Sequence, residues 1–172
     1  MSETLDLVNK LIAEHKVIST SAGSLEQAAN DATLIEDMKD ARDTFVPGRF
    51  DQEKKLQELD EMLEETAVFL DKHFDREETV LLKAVEKDGE AEVVTALNSL
   101  LLEHADLRNR MVHTKNHVNE LMSGGLARHR WDASANDMRA HLSHTKKLLE
   151  AHAAAENELF HELRRHFMEA KQ

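Results

Sequence analysis

The sequence predicts an all-α protein, an antiparallel up-and-down four-helix bundle with a di-metal site in its core. Apolar residues recur at three- and four-residue spacing along four long segments, the signature of helices with one buried face. The composition agrees: 41% hydrophobic and 33% charged residues, with only five Gly and one Pro, suit a helical globular chain. The third observation is a pattern of His and Glu that occurs twice and falls inside the apolar rows.

Gly and Pro divide the chain near Val46-Pro47-Gly48, at Asp88-Gly89 and at Ser123-Gly124-Gly125. The first helix is expected over roughly 3–44, carrying Val8, Leu11, Ile12, Ile18 and Leu25, with a break near Asn30-Asp31. The second, roughly 51–86, carries Leu63, Phe69, Leu70, Val80 and Leu81. The third, roughly 90–122, carries Leu97, Leu100, Leu101, Leu107 and Met111. The fourth, roughly 133–168, carries Leu148, Leu149, Leu159 and Leu163, and Ser134 with Asp137 resembles a capping box that opens it. Trp131 then falls in the preceding loop. Short connections between long helices imply antiparallel neighbours. At 172 residues the chain suits a single domain, 1–172.

Asn9-Lys10-Leu11-Ile12-Ala13-Glu14-His15 returns as Asn98-Ser99-Leu100-Leu101-Leu102-Glu103-His104, and His73 with Glu77 returns as His152 with Glu156. Residues four apart share a helix face, so each His-x-x-x-Glu aims an imidazole and a carboxylate at one point. The repetition suggests a duplicated helical hairpin with approximate two-fold symmetry, which favours paired metals on the axis. His15 lies between Ile12 and Ile18, and His104 between Leu101 and Leu107, so all six groups point inward. Without a metal, two carboxylates would be desolvated in the core at several kcal/mol each unless protonated or paired.

Measured from the turns, depth is less regular. His15 lies 32 residues before Pro47 and His73 26 after it, while His104 lies 20 before Gly124 and His152 28 after it. At about 1.5 Å per residue these offsets differ by roughly 9 to 12 Å, which loops and tilt must absorb. The remaining histidines are expected to be structural. His113 and His117 should face solvent, His161 lies off the His152 face, and His166 sits about 21 Å along the axis from it. His141, nearly on the ligand face, could line a channel but is expected to fill core. Glu14, Glu78 and Glu103 adjoin ligands and could support them. Solvated surface is the expected role for each.

No cysteine is present, so a metal must be held by nitrogen and oxygen, which suits Fe, Mn or Zn. Two ferrous ions, two carboxylates and a bridging hydroxide sum to about +1, tolerable for a buried site. Four His shared between two ions, with Glu77, Glu156 and an oxygen bridge, leave an open position on each. The formal charge of −12 argues against nucleic acid. The acidic start lacks a basic region followed by an apolar run, and no segment approaches a membrane span, so a soluble cytoplasmic protein is expected.

The ordered set His15, His73/Glu77, His104, His152/Glu156 resembles the hemerythrin-like family, specifically its HHE cation-binding branch, over nearly the whole chain. The resemblance implies a di-iron centre bridged by Glu77, Glu156 and an oxo or hydroxo group. Oxygen-carrying members have His-x-x-x-His on the third helix and His-x-x-x-x-Asp on the fourth, whereas here Arg108 and Asn157 occupy those positions. The set is closer to iron-centre repair proteins linked to nitric oxide stress, although their N-terminal cysteines are lacking. Ferritin-like bundles use Glu-x-x-His, a different spacing. The implied function is binding of, or reaction with, dioxygen, nitric oxide or peroxide in redox or nitrosative stress or iron handling. Alternatives are an enzyme that decomposes peroxide or reduces nitric oxide, and an iron donor to damaged centres. The absence of Tyr disfavours a radical-storing oxygenase, and nothing resembling a signalling output domain is visible.

Overall fold

A computed structural model describes residues 2–34 and 50–170 of the chain. Every regular element among them is helical: α1 (Ser2–Thr33), α2 (Phe50–Asp75), a π-helical segment π1 (Arg76–Leu81), α3 (Leu82–Asp88), α4 (Ala91–Leu101), α5 (Glu103–Met122) and α6 (Arg128–Glu169). They form four arms, α1, α2–π1–α3, α4–α5 and α6, packed together. α1 packs on α2 and α6, and α5 packs on the same two.

Contacts between neighbouring arms run in opposite order along the chain. Lys55 donates to the Asp31 carbonyl near one end of the α1–α2 pair, and the His15 and His73 rings meet further along. Arg139 reaches Thr33 while Asn157 reaches His15. Arg110 donates to Thr145, and Trp131 Nε1 donates to the Leu121 carbonyl at 3.1 Å. Adjacent arms are therefore antiparallel.

The break expected near Asn30-Asp31 falls slightly later, because helix persists to Thr33 and the Leu34 N–H still bonds to the Asn30 carbonyl. The expected extension of the first helix to residue 44 and the break at Val46-Pro47-Gly48 lie outside the described residues. The break at Gly89 stands where expected. A Cβ there would lie 2.4 Å from the Val85 carbonyl oxygen, so only Gly fits this close approach. Gly124 takes φ of 74° just past α5, the left-handed conformation with which helices commonly end.

Three local expectations are corrected. α6 begins at Arg128, so Ser134 lies inside the helix and caps nothing. Trp131 is helical and buried, its indole N–H satisfying a carbonyl at the end of α5. Its burial supplies the energy that extends α6 backward past the sequence's apparent cap. Val80, expected on the apolar stripe, is 55% exposed, because the widened π turn rotates it out while Leu81 is buried.

The core has two apolar clusters. One holds Ile18, Leu25, Leu63, Leu70, Leu107, Met111, Trp131 and Leu149, and the other Val8, Leu11, Leu81, Val85, Leu97, Leu159, Phe160 and Phe167. Between them lies a buried polar layer of His15, His73, Glu77, His104, His152 and Glu156. Among the described residues no helix is long and apolar enough to cross a membrane.

Candidate metal centre

The six residues singled out from sequence converge in that layer despite their unequal distances from the turns. They form two overlapping quartets, His15, His73, Glu77, Glu156 and Glu77, His104, His152, Glu156, within each of which one donor atom per residue lies within 4.8 Å of the others. Both quartets contain both glutamates. This is the arrangement in which two carboxylates can bridge two cations, each also held by two imidazoles.

Donor atoms face one another closely. His73 Nε2 lies 2.7 Å from Glu77 Oε1, and His152 Nε2 lies 2.7 Å from Glu156 Oε1. His104 Nε2 is 3.1 Å from Glu77 Oε2 and 3.1 Å from His152 Nε2, and His15 Nε2 is 3.5 Å from Glu156 Oε1. Yet His15 Nε2, His73 Nε2 and all four carboxylate oxygens of Glu77 and Glu156 are buried without completing a hydrogen bond. Buried polar atoms in this number are normally satisfied. A positive ion drawing on all these lone pairs would satisfy them, so the donor set fits a metal.

The outer nitrogens explain how the rings are held. His104 Nδ1 lies 2.9 Å from Glu78 Oε1, His152 Nδ1 2.6 Å from Glu103 Oε2, and His15 Nδ1 2.7 Å from Asn157 Oδ1. His73 Nδ1 faces Glu14 Oε1 at the longer distance of 3.6 Å. An oxygen at Nδ1 fixes the tautomer with its proton there and leaves the Nε2 lone pair directed inward. Glu14 and Glu78 are anchored in turn by Arg76 and by Arg108, whose Nη1 lies 2.7 Å from Glu78 Oε1.

Of the three glutamates expected on solvated surface, Glu14 is buried and Glu78 half-buried, which corrects that reading, whereas Glu103 is exposed as expected and also reaches His152; Asn157 had no expected role. The signal was present. Glu-His recurs at 14–15 and 103–104, and each of those glutamates serves the His of a neighbouring arm. The residue after each central glutamate does the same, Glu78 for His104 and Asn157 for His15. The outer ring is thus duplicated like the inner one, with a single change, carboxylate to amide at Asn157.

Burial lowers the His73 pKa to about 4, the neighbouring His15 adding to the effect, and burial likewise lowers His104. At His152 burial acts downward too, but Glu156 and Glu103 outweigh it and hold the ring up. Burial and then the facing Glu156 push Glu77 well up. Glu156 is held down, because the His15 and His152 rings and the Glu77 carboxyl outweigh its burial. The protein alone thus pulls the two carboxyls apart, Glu77 toward its protonated and Glu156 toward its ionised form, and biases the His73 and His104 rings toward the neutral form.

The other histidines are partly reassigned. His113 is exposed as expected, but His117 is half-buried, and the His113 ring packs against both His117 and His141, at 4.7 and 4.5 Å between centroids. His141 is only half-buried and contacts Arg110. His161 and His166 are exposed. Comparison of the chain with protein-family models, characterised proteins and solved structures gives no match.

Proposed function

We propose that this chain is a non-haem di-iron protein of the hemerythrin-like kind, an up-and-down four-helix bundle that binds or reacts with dioxygen, nitric oxide or peroxide in redox or nitrosative stress or iron handling. The carrying observation is the pair of buried His₂Glu₂ quartets sharing Glu77 and Glu156, with inward donors that lack hydrogen-bond partners. His15 and His73 would hold one ion and His104 and His152 the other, with both carboxylates between them. Two irons, when bound, supply one-electron redox chemistry and open positions for a small ligand.

The chain's own residues do the rest. Glu78, Glu103 and Asn157 keep the Nδ1 protons of His104, His152 and His15 outward, so their Nε2 atoms stay available as donors, and Glu14 faces His73 Nδ1 at 3.6 Å. Phe74 stacks on His104 at 3.9 Å between centroids and Phe160 on His15 at 5.7 Å, backing the two ring planes. Thiolates are lacking, which leaves iron, manganese or zinc as candidates, and the paired carboxylates favour iron over a lone zinc.

Protein produced with iron should carry about two irons per chain, with ultraviolet charge-transfer absorption, by the ligand count of the site. One zinc per chain would overturn the reading. A second reading, turnover of peroxide or nitric oxide, is favoured by a solvent-open cleft that reaches His15 and Asn157. Absence of turnover by iron-loaded protein with either substrate would reject it.

A further inference from the structure

A second group of imidazoles lies outside the centre, where α5 packs on α6. His113 and His117 are four apart on α5, so their side chains rise from one helix face with Cβ atoms about 5–6 Å apart. Their rings stand 4.7 Å apart between centroids, and His141 of α6 brings a third ring to 4.5 Å from that of His113. His113 is nine residues past His104, half a turn around α5 and about 13 Å along it, so the group shares no residue with the central layer.

Two observations separate these rings from histidines that merely cover a surface. His117 is half-buried, and its Nδ1 is enclosed by protein without a hydrogen-bond partner, whereas a buried nitrogen is normally satisfied. At His141 both nitrogens are turned to Arg110: Nε2 lies 3.4 Å from its carbonyl oxygen and Nδ1 3.5 Å from its Nη2. A guanidinium only donates, so Nδ1 presents a lone pair and the proton sits on Nε2, toward the carbonyl. That is the tautomer of a metal-binding histidine whose far nitrogen is held by backbone. Burial and then the charge of Arg110 lower the His141 pKa, His113 and His117 adding to the effect, which biases the ring toward the neutral, ligating form.

We infer that His113, His117 and His141 form a second metal site, separate from the centre, for one borderline divalent cation such as zinc, with water as the fourth ligand. Three imidazoles and an open position suit such an ion without any thiolate. In the metal-free protein the Arg110 guanidinium faces the lone pair that the ion would take. Arg110 Nη2 also lies 3.2 Å from His144 Nδ1, and Nε donates to Thr145 at 2.8 Å, so these partners can hold the side chain when it releases His141. The three donors are not drawn within 4.8 Å of one another as the central quartets are, and that exchange is what closes the site. The charge of Arg110 opposes the ion throughout.

The test is equilibrium dialysis of full-length protein against zinc, with the bound metal measured. At saturation His113→Gln/His117→Gln should hold about one zinc per chain fewer than wild type, and His141→Gln should need at least about tenfold more zinc to bind that ion. Arg110→Gln should bind it at least about threefold more tightly, because a like charge is removed. His166→Gln, which removes an exposed imidazole elsewhere on α6, should match wild type. Equal zinc content and affinity in wild type and the variants of His113, His117 and His141 would overturn the site. So would an equal loss in His166→Gln, which would mean adsorption to surface histidines, or wild-type affinity in His141→Gln, which would remove the third ligand. A central layer that takes up no metal lowers every count alike and leaves this difference standing, so the two readings fail separately.

Discussion

An imidazole donates to a metal only while its inward nitrogen is free of a proton, so the residue that holds the outer nitrogen matters as much as the ligand. Glu78 does this for His104 and is itself gripped by Arg108, which with His104 keeps its carboxyl below the usual range against its burial. Glu78→Ala should therefore weaken metal retention roughly 10–100-fold, as loss of such partners typically does, with helix content unchanged. Competition against a chelator measures it. Glu77→Ala should go further and abolish the pair while circular dichroism stays helical, because the apolar clusters on either side remain intact. His73 gives a sign-defined pH effect in the metal-free protein. Its folded pKa, about 4, lies below the unfolded value of 6.5, so on acidification the unfolded chain takes up the proton first. Stability from the neutral ring is present above 6.5 and drains away between 6.5 and about 4. Across that interval wild type should lose more urea resistance than His73→Gln, and equal losses would contradict the buried, neutral assignment.

Helices follow from periodicity, but their ends and irregularities are set by contacts between arms, and this is where the sequence was least legible. The inward placement of all six central residues could be read from one helix face at a time. The π turn at Arg76–Leu81 could not, since its sequence is as compatible with an ordinary helix and only the packing of Glu77 against the other arms selects the wider turn. By that turn Arg76 reaches Glu14, Glu77 points inward and Glu78 reaches His104 from consecutive positions. Deleting the exposed Val80 should restore regular helix and misdirect this triplet, giving lower iron content in a protein that remains helical. Retention of two irons would show that the turn does not matter. Trp131 illustrates the same limit: the loop assignment followed from an apparent cap at Ser134, and a buried indole bonded to Leu121 overrode it. Trp131→Ala should destabilise the protein by about 3–5 kcal/mol, measured by chemical denaturation, whereas a surface loop residue would cost almost nothing.

Across the whole molecule, the polar layer splits what would otherwise be one continuous apolar core, and a chain selected only for stability would fill it with Leu. Six buried donor residues between two hydrophobic clusters depart from every local rule that the rest of the chain obeys, which is where a functional site is expected. The departure has a thermodynamic consequence that reverses with metal. In the metal-free protein Glu77 is a fully buried carboxyl pushed toward its neutral form by burial and by Glu156, with His73 Nε2 at 2.7 Å, while Glu156 keeps the His15 and His152 rings beside it. Glu77→Leu removes the desolvated group at similar volume, so metal-free Glu77→Leu should be more stable than metal-free wild type by about 1–3 kcal/mol. With iron added the order should invert. Wild type gains binding free energy, about 4 kcal/mol at a free-metal concentration 1,000 times Kd, and the variant, lacking a shared carboxylate, gains little. Thermal unfolding of both proteins, with iron and with chelator, reads all four states. A variant that is less stable than wild type in both conditions would mean that Glu77 contributes to folding in its own right and that the layer is structural.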